Sequence, residues 1–234
     1  YSQSNAVVIT AGSMAAIYNG LKLLINNEFY SQIQLKSLCQ DETAELSTDA
    51  LGKVIDAKEK VSANYLSHLR KQFQINKKLK VVLDTCHSTS GNVIKRLLCD
   101  LGCDVVHVRS EPQANFDNNQ PNPAKPDNLQ LLIEKVKSEK AGIGFFLNSD
   151  ATSLGVISAQ GKIIWPDRVM MLLAKDILSR QQGAKIFYDV KSTSILHDWI
   201  LEYKGEPDLC PSGYINLQER MRLQNADLAG EFTG

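Results

Sequence analysis

From Lys80 onward the chain alternates short apolar runs with helical stretches of about ten residues, and no other feature constrains the fold as much. Residues 81–83, 105–108, 143–147 and the run AKIFYDV at 184–190 read as strands. So do EPDLC at 206–210 and ADLAG at 226–230. Between them, GNVIKRLLCDLG, ended by Gly102, and residues 129–139, 167–180, 195–203 and 215–223 carry helical spacing. Strands joined through crossovers of this length pair mostly in parallel. The expected class is α/β, with mixed, largely parallel sheets sandwiched by helices in tandem domains.

Upstream the rhythm differs. Residues 6–10 and 21–25 read as strands joined by a loop of small residues. Residues 48–74 read as one long helix, with Leu51, Val54, Ile55, Val61, Tyr65, Leu66, Leu69 and Phe73 at helical intervals and Thr48 as its cap. The basic stretch NKKLK marks a junction. The expected division is 1–76, 77–182 and 183–234. YSQSNA at the start resembles a cleaved-tag scar, and DLAGEFTG stops straight after a strand-like run. Both ends suggest a piece of a longer protein.

Composition excludes several classes. The 234 residues carry 26 Lys and Arg against 26 Asp and Glu, so formal charge is zero and no basic footprint points to nucleic acid or an acidic membrane. No run approaches the ~20 apolar residues of a membrane helix, and no secretory signal is visible. Five cysteines, Cys39, Cys86, Cys99, Cys103 and Cys210, argue by odd count and irregular spacing against a disulfide framework. Reduced thiols in a cytoplasm are expected. Cys99 and Cys103 have no histidine nearby and do not read as a zinc site.

Ligands in parallel sheets gather beyond the carboxyl ends of strands. That rule selects the loops after Thr10, Asp84, Leu147, Val190 and Gly230. The third is GIGFFLNSDATSLGV, residues 142–156, a strand–loop–strand whose polar tip carries one carboxylate, Asp150.

The wording of these segments resembles one family. YNGLK, EPQANFDNNQPNPAKPDNLQLLIEKVKSEKAGIG, GKIIWPDRVMMLLAKDILSR, YDVKSTSIL and ADLAGEFTG are similar to the α-D-phosphohexomutases, the bacterial phosphomannomutase/phosphoglucomutase type. The resemblance runs from about Ala6 to Gly234. It implies four domains, of which this chain holds the later part of the first, the second and most of the third. It also implies phosphoryl transfer between the 6- and 1-positions of a hexose through a phosphoserine, with Mg²⁺ neutralising charge.

The chemistry-bearing positions depart from that pattern. The metal loop, Asp-Gly-Asp-x-Asp-Arg in the family, matches Asn148-Ser149-Asp150-Ala151-Thr152-Ser153, so metal positions Asn148, Asp150 and Thr152 keep one carboxylate. Mg²⁺ binding, implied by the resemblance, is expected to be weak or absent. The phosphoserine position falls on Gly12. Ser13, one residue along, substitutes as nucleophile only if the loop slips, and reads more simply as a solvent-facing loop serine. The glycine-rich Asp-x-Gly-Asn-Gly turn becomes Asp84-Thr85-Cys86-His87-Ser88, losing glycines that permit unusual backbone angles. His87 reads as an ordinary loop histidine. A His-bearing segment becomes Asn119-Gln120, Thr-Gly-His becomes Ser212-Gly213-Tyr214, and a later lysine becomes Gln218.

Other ligand-type residues survive. Lys22, Arg168, Lys191, Glu231 and Thr233 match family positions. Lys191 resembles a substrate-contacting lysine and proton shuttle. Lys22, Tyr214, Glu231 and Thr233 fall on substrate-binding positions, the last two on the sugar-reading loop. Arg168 reads as structural, beside Asp167 at a helix start. The substitutions fall on the chemistry and spare the apolar strands. The expectation is a folded phosphohexomutase relative with impaired or absent activity that binds hexose phosphates weakly or serves a protein partner. An active mutase is the alternative.

Overall fold

The computed structural model describes residues 5–10, 12–30, 32–38, 40, 52–115 and 120–232. The readings made for Cys39, Thr48, Leu51, Asn119 and Thr233 lie outside the described residues.

The chain opens with β1 (Ala6–Thr10), β2 (Gly20–Ile25) and β3 (Glu28–Phe29), an antiparallel three-stranded sheet in that order. Two helices follow, α1 (Gln32–Leu38) and α2 (Lys58–Gln72). Then come β4 (Lys80–Asp84), α3 (Gly91–Asp100), β5 (Asp104–Val108), α4 (Gln130–Ser138), β6 (Ile143–Leu147), β7 (Leu154–Ser158) and β8 (Ile163–Ile164). Their five strands order as β5-β4-β6-β7-β8. The β5, β4 and β6 strands are parallel and β7 and β8 antiparallel. The remaining elements are α5 (Pro166–Arg180), β9 (Lys185–Asp189), α6 (Ser194–Glu202), β10 (Glu206–Cys210), α7 (Tyr214–Gln224) and β11 (Leu228–Gly230). Their strands form a parallel sheet ordered β10-β9-β11. The α/β class with mixed, largely parallel sheets is what the alternation of runs requires.

Residues Val81, Val82 and Leu83 of β4 are wholly buried, the continuous apolar reading of a strand covered on both faces. Val82 joins Leu132 and Val136 of α4, Phe146 of β6 and Ile157 of β7 in one core. Gly144 lets α4 close on β6, since a Cβ there would stand 2.5 Å from Cγ2 of Val136. A second core joins β9 and α6 to Met170, Met171, Ala174 and Leu178 of α5. By packing, α5 shares the core of the last sheet.

The long helix expected over 48–74 is corrected. It starts at Lys58, and Val54 and Ile55 lie outside it, 102% and 81% exposed. Gly52 and two β-branched residues disfavour helix there. The carboxylate of Asp56 instead accepts from the backbone N–H of Lys58 at 2.9 Å, turning the chain into the first helical turn. The elements β3, α1 and β8 are too short to show periodicity in sequence.

Candidate functional site

Two loops far apart in sequence meet at the centre of the site: the one after β1, and the β6–β7 loop. Gly12 takes the left-handed conformation, φ 59°, and its carbonyl accepts from Oγ of Ser149 at 2.6 Å. Ser13 is half-buried, and its Oγ accepts from Nδ2 of Asn148 at 3.2 Å. The expectation of a solvent-facing serine is corrected. At the end of β1, the hydroxyl of Thr10 donates to Oδ2 of Asp150.

Asn148 is 1% exposed and uses its whole amide. Oδ1 faces the backbone N–H groups of Thr152, at 2.8 Å, and Ser153, at 3.0 Å, so it can only accept. Nδ2 then donates to Ser13 and, at 3.2 Å, to Oγ1 of Thr152. The hydroxyl of Thr152 donates in turn to Oδ1 of Asp150 at 2.6 Å. Burial pushes the Asp150 carboxyl up, but hydrogen bonds from Thr10 and Thr152 and the charge of Lys22 outweigh it and hold the group below its usual range.

A cage for Mg²⁺ needs hard oxygens converging on one point. Here Asn148 turns its oxygen to two N–H groups and its N–H groups to the neighbouring hydroxyls. Among the described residues no three His, Cys, Asp or Glu side chains gather. These side chains do not form the three-carboxylate cage that the resemblance implies.

A cleft of about 630 Å³ opens beside this junction, lined by Thr10, Lys22, His87, Ser88, Ser90 and Asp150 among others. The turn after β4 forms its far wall. Cys86 and His87 both stand in the left-handed region, φ 45° and 60°. The turn thus adopts left-handed angles without glycine. The turn is held by Asp84, which accepts from Cys86 N–H and from the guanidinium of Arg109. His87 is buried, with Nδ1 at 2.8 Å from the carbonyl of Glu111.

The third sheet brings the remaining predicted residues to one edge. Lys22 Nζ, from β2, sits 5.6 Å from the ring centroid of Tyr214 at the start of α7, bringing two predicted substrate positions together. Glu231 accepts from the backbone N–H of Gly213 at 2.9 Å, so one carboxylate oxygen braces the turn into α7. Lys191 is exposed in the turn after β9. Arg168 donates through Nη1 to Sδ of Met171, and its backbone N–H donates to Asp167, as expected of a structural helix start.

Sequence reasoning missed Asp189, the wholly buried hub of this edge. Its Oδ1 accepts from Ser192 at 2.8 Å and from Phe232 N–H at 3.2 Å, and its Oδ2 accepts from Ser212 at 2.8 Å. One carboxylate thereby ties the Lys191 turn, the Ser212 turn and the Glu231 segment together. The available signal was an acid ending an apolar strand in YDV. Trp165 stacking on Phe232 at 6.0 Å had no such signal.

Known proteins show the same assembly. Models of phosphoglucomutase/phosphomannomutase α/β/α domains II and III match residues 63–161 and 165–234. A phosphomannomutase/phosphoglucomutase of Pseudomonas aeruginosa is 34% identical over 98% of this chain and 49% of its own length. A phosphoglucomutase of Neisseria gonorrhoeae is 32% identical over 98% of this chain and 50% of its own. A solved structure of a family member from Burkholderia thailandensis superposes with a TM-score of 0.87 at 34% identity, covering 98% of this chain and 50% of that one. The chain spans about half the length of the curated relatives it matches. Matching family models, sequence relatives and fold agree that the chain belongs to the phosphoglucomutase/phosphomannomutase family of α-D-phosphohexomutases.

Proposed function

We propose that this chain is a phosphohexomutase homologue whose mutase chemistry is impaired or lost and which retains weak binding of hexose phosphates. One observation carries the reading: the position facing the β6–β7 loop is Gly12, which offers a carbonyl to Ser149 and no nucleophile. The single carboxylate Asp150 balances little of the charge on a divalent ion, so Mg²⁺ binding there is weak or absent. The substrate-type residues that remain, Lys22, Lys191, Tyr214 and Glu231, supply one or two cations for phosphate and acceptors for sugar hydroxyls. Millimolar affinity, about 4 kcal/mol, suits so few contacts. The odd count and irregular spacing of the five cysteines support a cytoplasmic setting. No described helix is long and apolar enough to cross a membrane.

Intact-mass spectrometry after incubation with glucose 1,6-bisphosphate or mannose 1,6-bisphosphate tests the catalytic half. The expected outcome is no stable adduct. A phosphate on Ser13, which sits at the loop junction through Asn148, restores the active-mutase reading. NMR titration with glucose 1-phosphate and mannose 1-phosphate tests the binding half, with amides around Lys191 and Gly213 expected to move together. If neither responds in the folded protein at saturating ligand, binding fails and an interaction module is left.

A further inference from the structure

We infer that Asn148 is the positioning residue of a metal-free clasp joining the loop after β1 to the β6–β7 loop. Three side-chain bonds cross between the two segments: Asn148 to Ser13, Ser149 to the Gly12 carbonyl, and Thr10 to Asp150. Their partners lie 135 to 140 residues apart, so they tie the first sheet to the second. Of these side chains, Asn148 and Asp150 fill positions where the resemblance places carboxylates for a cation.

The amide is the element that makes this arrangement close. A carboxylate at 148 has no hydrogen to give, so the contacts to Ser13 and Thr152 as they stand would each lose a donor. It would also place a second negative charge beside Asp150. Asparagine donates on one side and accepts two backbone N–H groups on the other, and adds no charge. An ion would draw the two loops together through shared electrostatic attraction; the amide does so through bonds that need no ion. The loops are therefore aligned at any Mg²⁺ concentration.

Amide hydrogen exchange of the full chain tests this without substrate or turnover, so its failure is separable from failure of the proposed function. In the unmodified protein, exchange over residues 12–19 and 148–153 is expected to be the same in EDTA and in millimolar Mg²⁺. Asn148→Asp in EDTA should speed exchange in both segments by about two- to tenfold per hydrogen bond lost, while β4 and β9 stay protected. Millimolar Mg²⁺ should reverse part of that change in Asn148→Asp and none of it in Asn148→Ala, a difference that lost packing alone does not produce. Should the 148 variants fail to fold, Ser13→Ala removes one bond from the opposite side and is expected to loosen residues 12–19 alone. Slowing of loop exchange by Mg²⁺ in the unmodified protein overturns the inference. So does unchanged loop exchange in Asn148→Asp or, where that variant does not fold, in Ser13→Ala.

Discussion

Arg109 donates to both oxygens of the wholly buried Asp84, Nε to Oδ1 at 2.9 Å and Nη2 to Oδ2 at 2.5 Å. This paired contact at the end of β4 anchors the left-handed Cys86–His87 turn, because the same Oδ1 also accepts from the backbone of Cys86. Each left-handed residue without glycine costs roughly 1–2 kcal/mol, and the pair offsets that strain.

Breaking this pair from one side should be severe. Arg109→Met leaves a buried carboxylate uncompensated and is expected to cost about 3–5 kcal/mol in urea unfolding. Asp84→Asn combined with Arg109→Met should recover a good part of the loss. A double variant as unstable as the single one would mean that packing of Arg109 over the Phe146 ring, at 5.4 Å, matters more than charge.

Stability should also depend on His107. Burial, then the charge of Lys95, lowers its pKa from the usual 6.5, and its Nε2 lies 2.9 Å from the hydroxyl of Thr85. The unfolded chain binds the proton more readily, so this contribution is complete above about 6.5 and is lost as pH falls from there through the folded value. His107→Gln should flatten that part of the stability–pH curve, as followed by thermal melts at fixed ionic strength. An unchanged slope would assign it to other groups.

A serine at the nucleophile position should be tolerated but insufficient. Gly12 has φ +59°, and a Cβ there would meet nothing within 4 Å, so Gly12→Ser should cost only about 1 kcal/mol of backbone strain. Denaturation measures that cost. Intact mass after glucose 1,6-bisphosphate should still show no stable phosphoenzyme, since Asp150 alone supplies one carboxylate where the resemblance implies three.

Metal dependence should follow carboxylate count. Millimolar Mg²⁺ should leave the melting temperature of the unmodified chain unchanged. Asn148→Asp with Thr152→Asp should introduce a shift that grows with Mg²⁺ concentration as mass action requires. Tight Mg²⁺ binding to the unmodified chain in calorimetry would show that neutral oxygens suffice.

The sequence by itself determined the α/β alternation, because apolar strands buried on both faces read as continuous runs, as in Val81, Val82 and Leu83. It also determined that position 148 offers an amide and no carboxylate and that position 12 offers no hydroxyl, since both are facts of composition. Helix length was less legible: the spacing of Val54 and Ile55 suits a helix, but spacing does not say whether anything covers those side chains. Only the tertiary structure decided that Asn148 reaches Ser13, that Asp189 gathers three turns, and that Arg109 holds a glycine-free turn in left-handed angles. Apart from the local bond between Ser192 and Asp189, those contacts join residues remote in sequence through hydrogen bonds whose direction depends on where two loops are placed. Local propensity and periodicity carry no information about that placement.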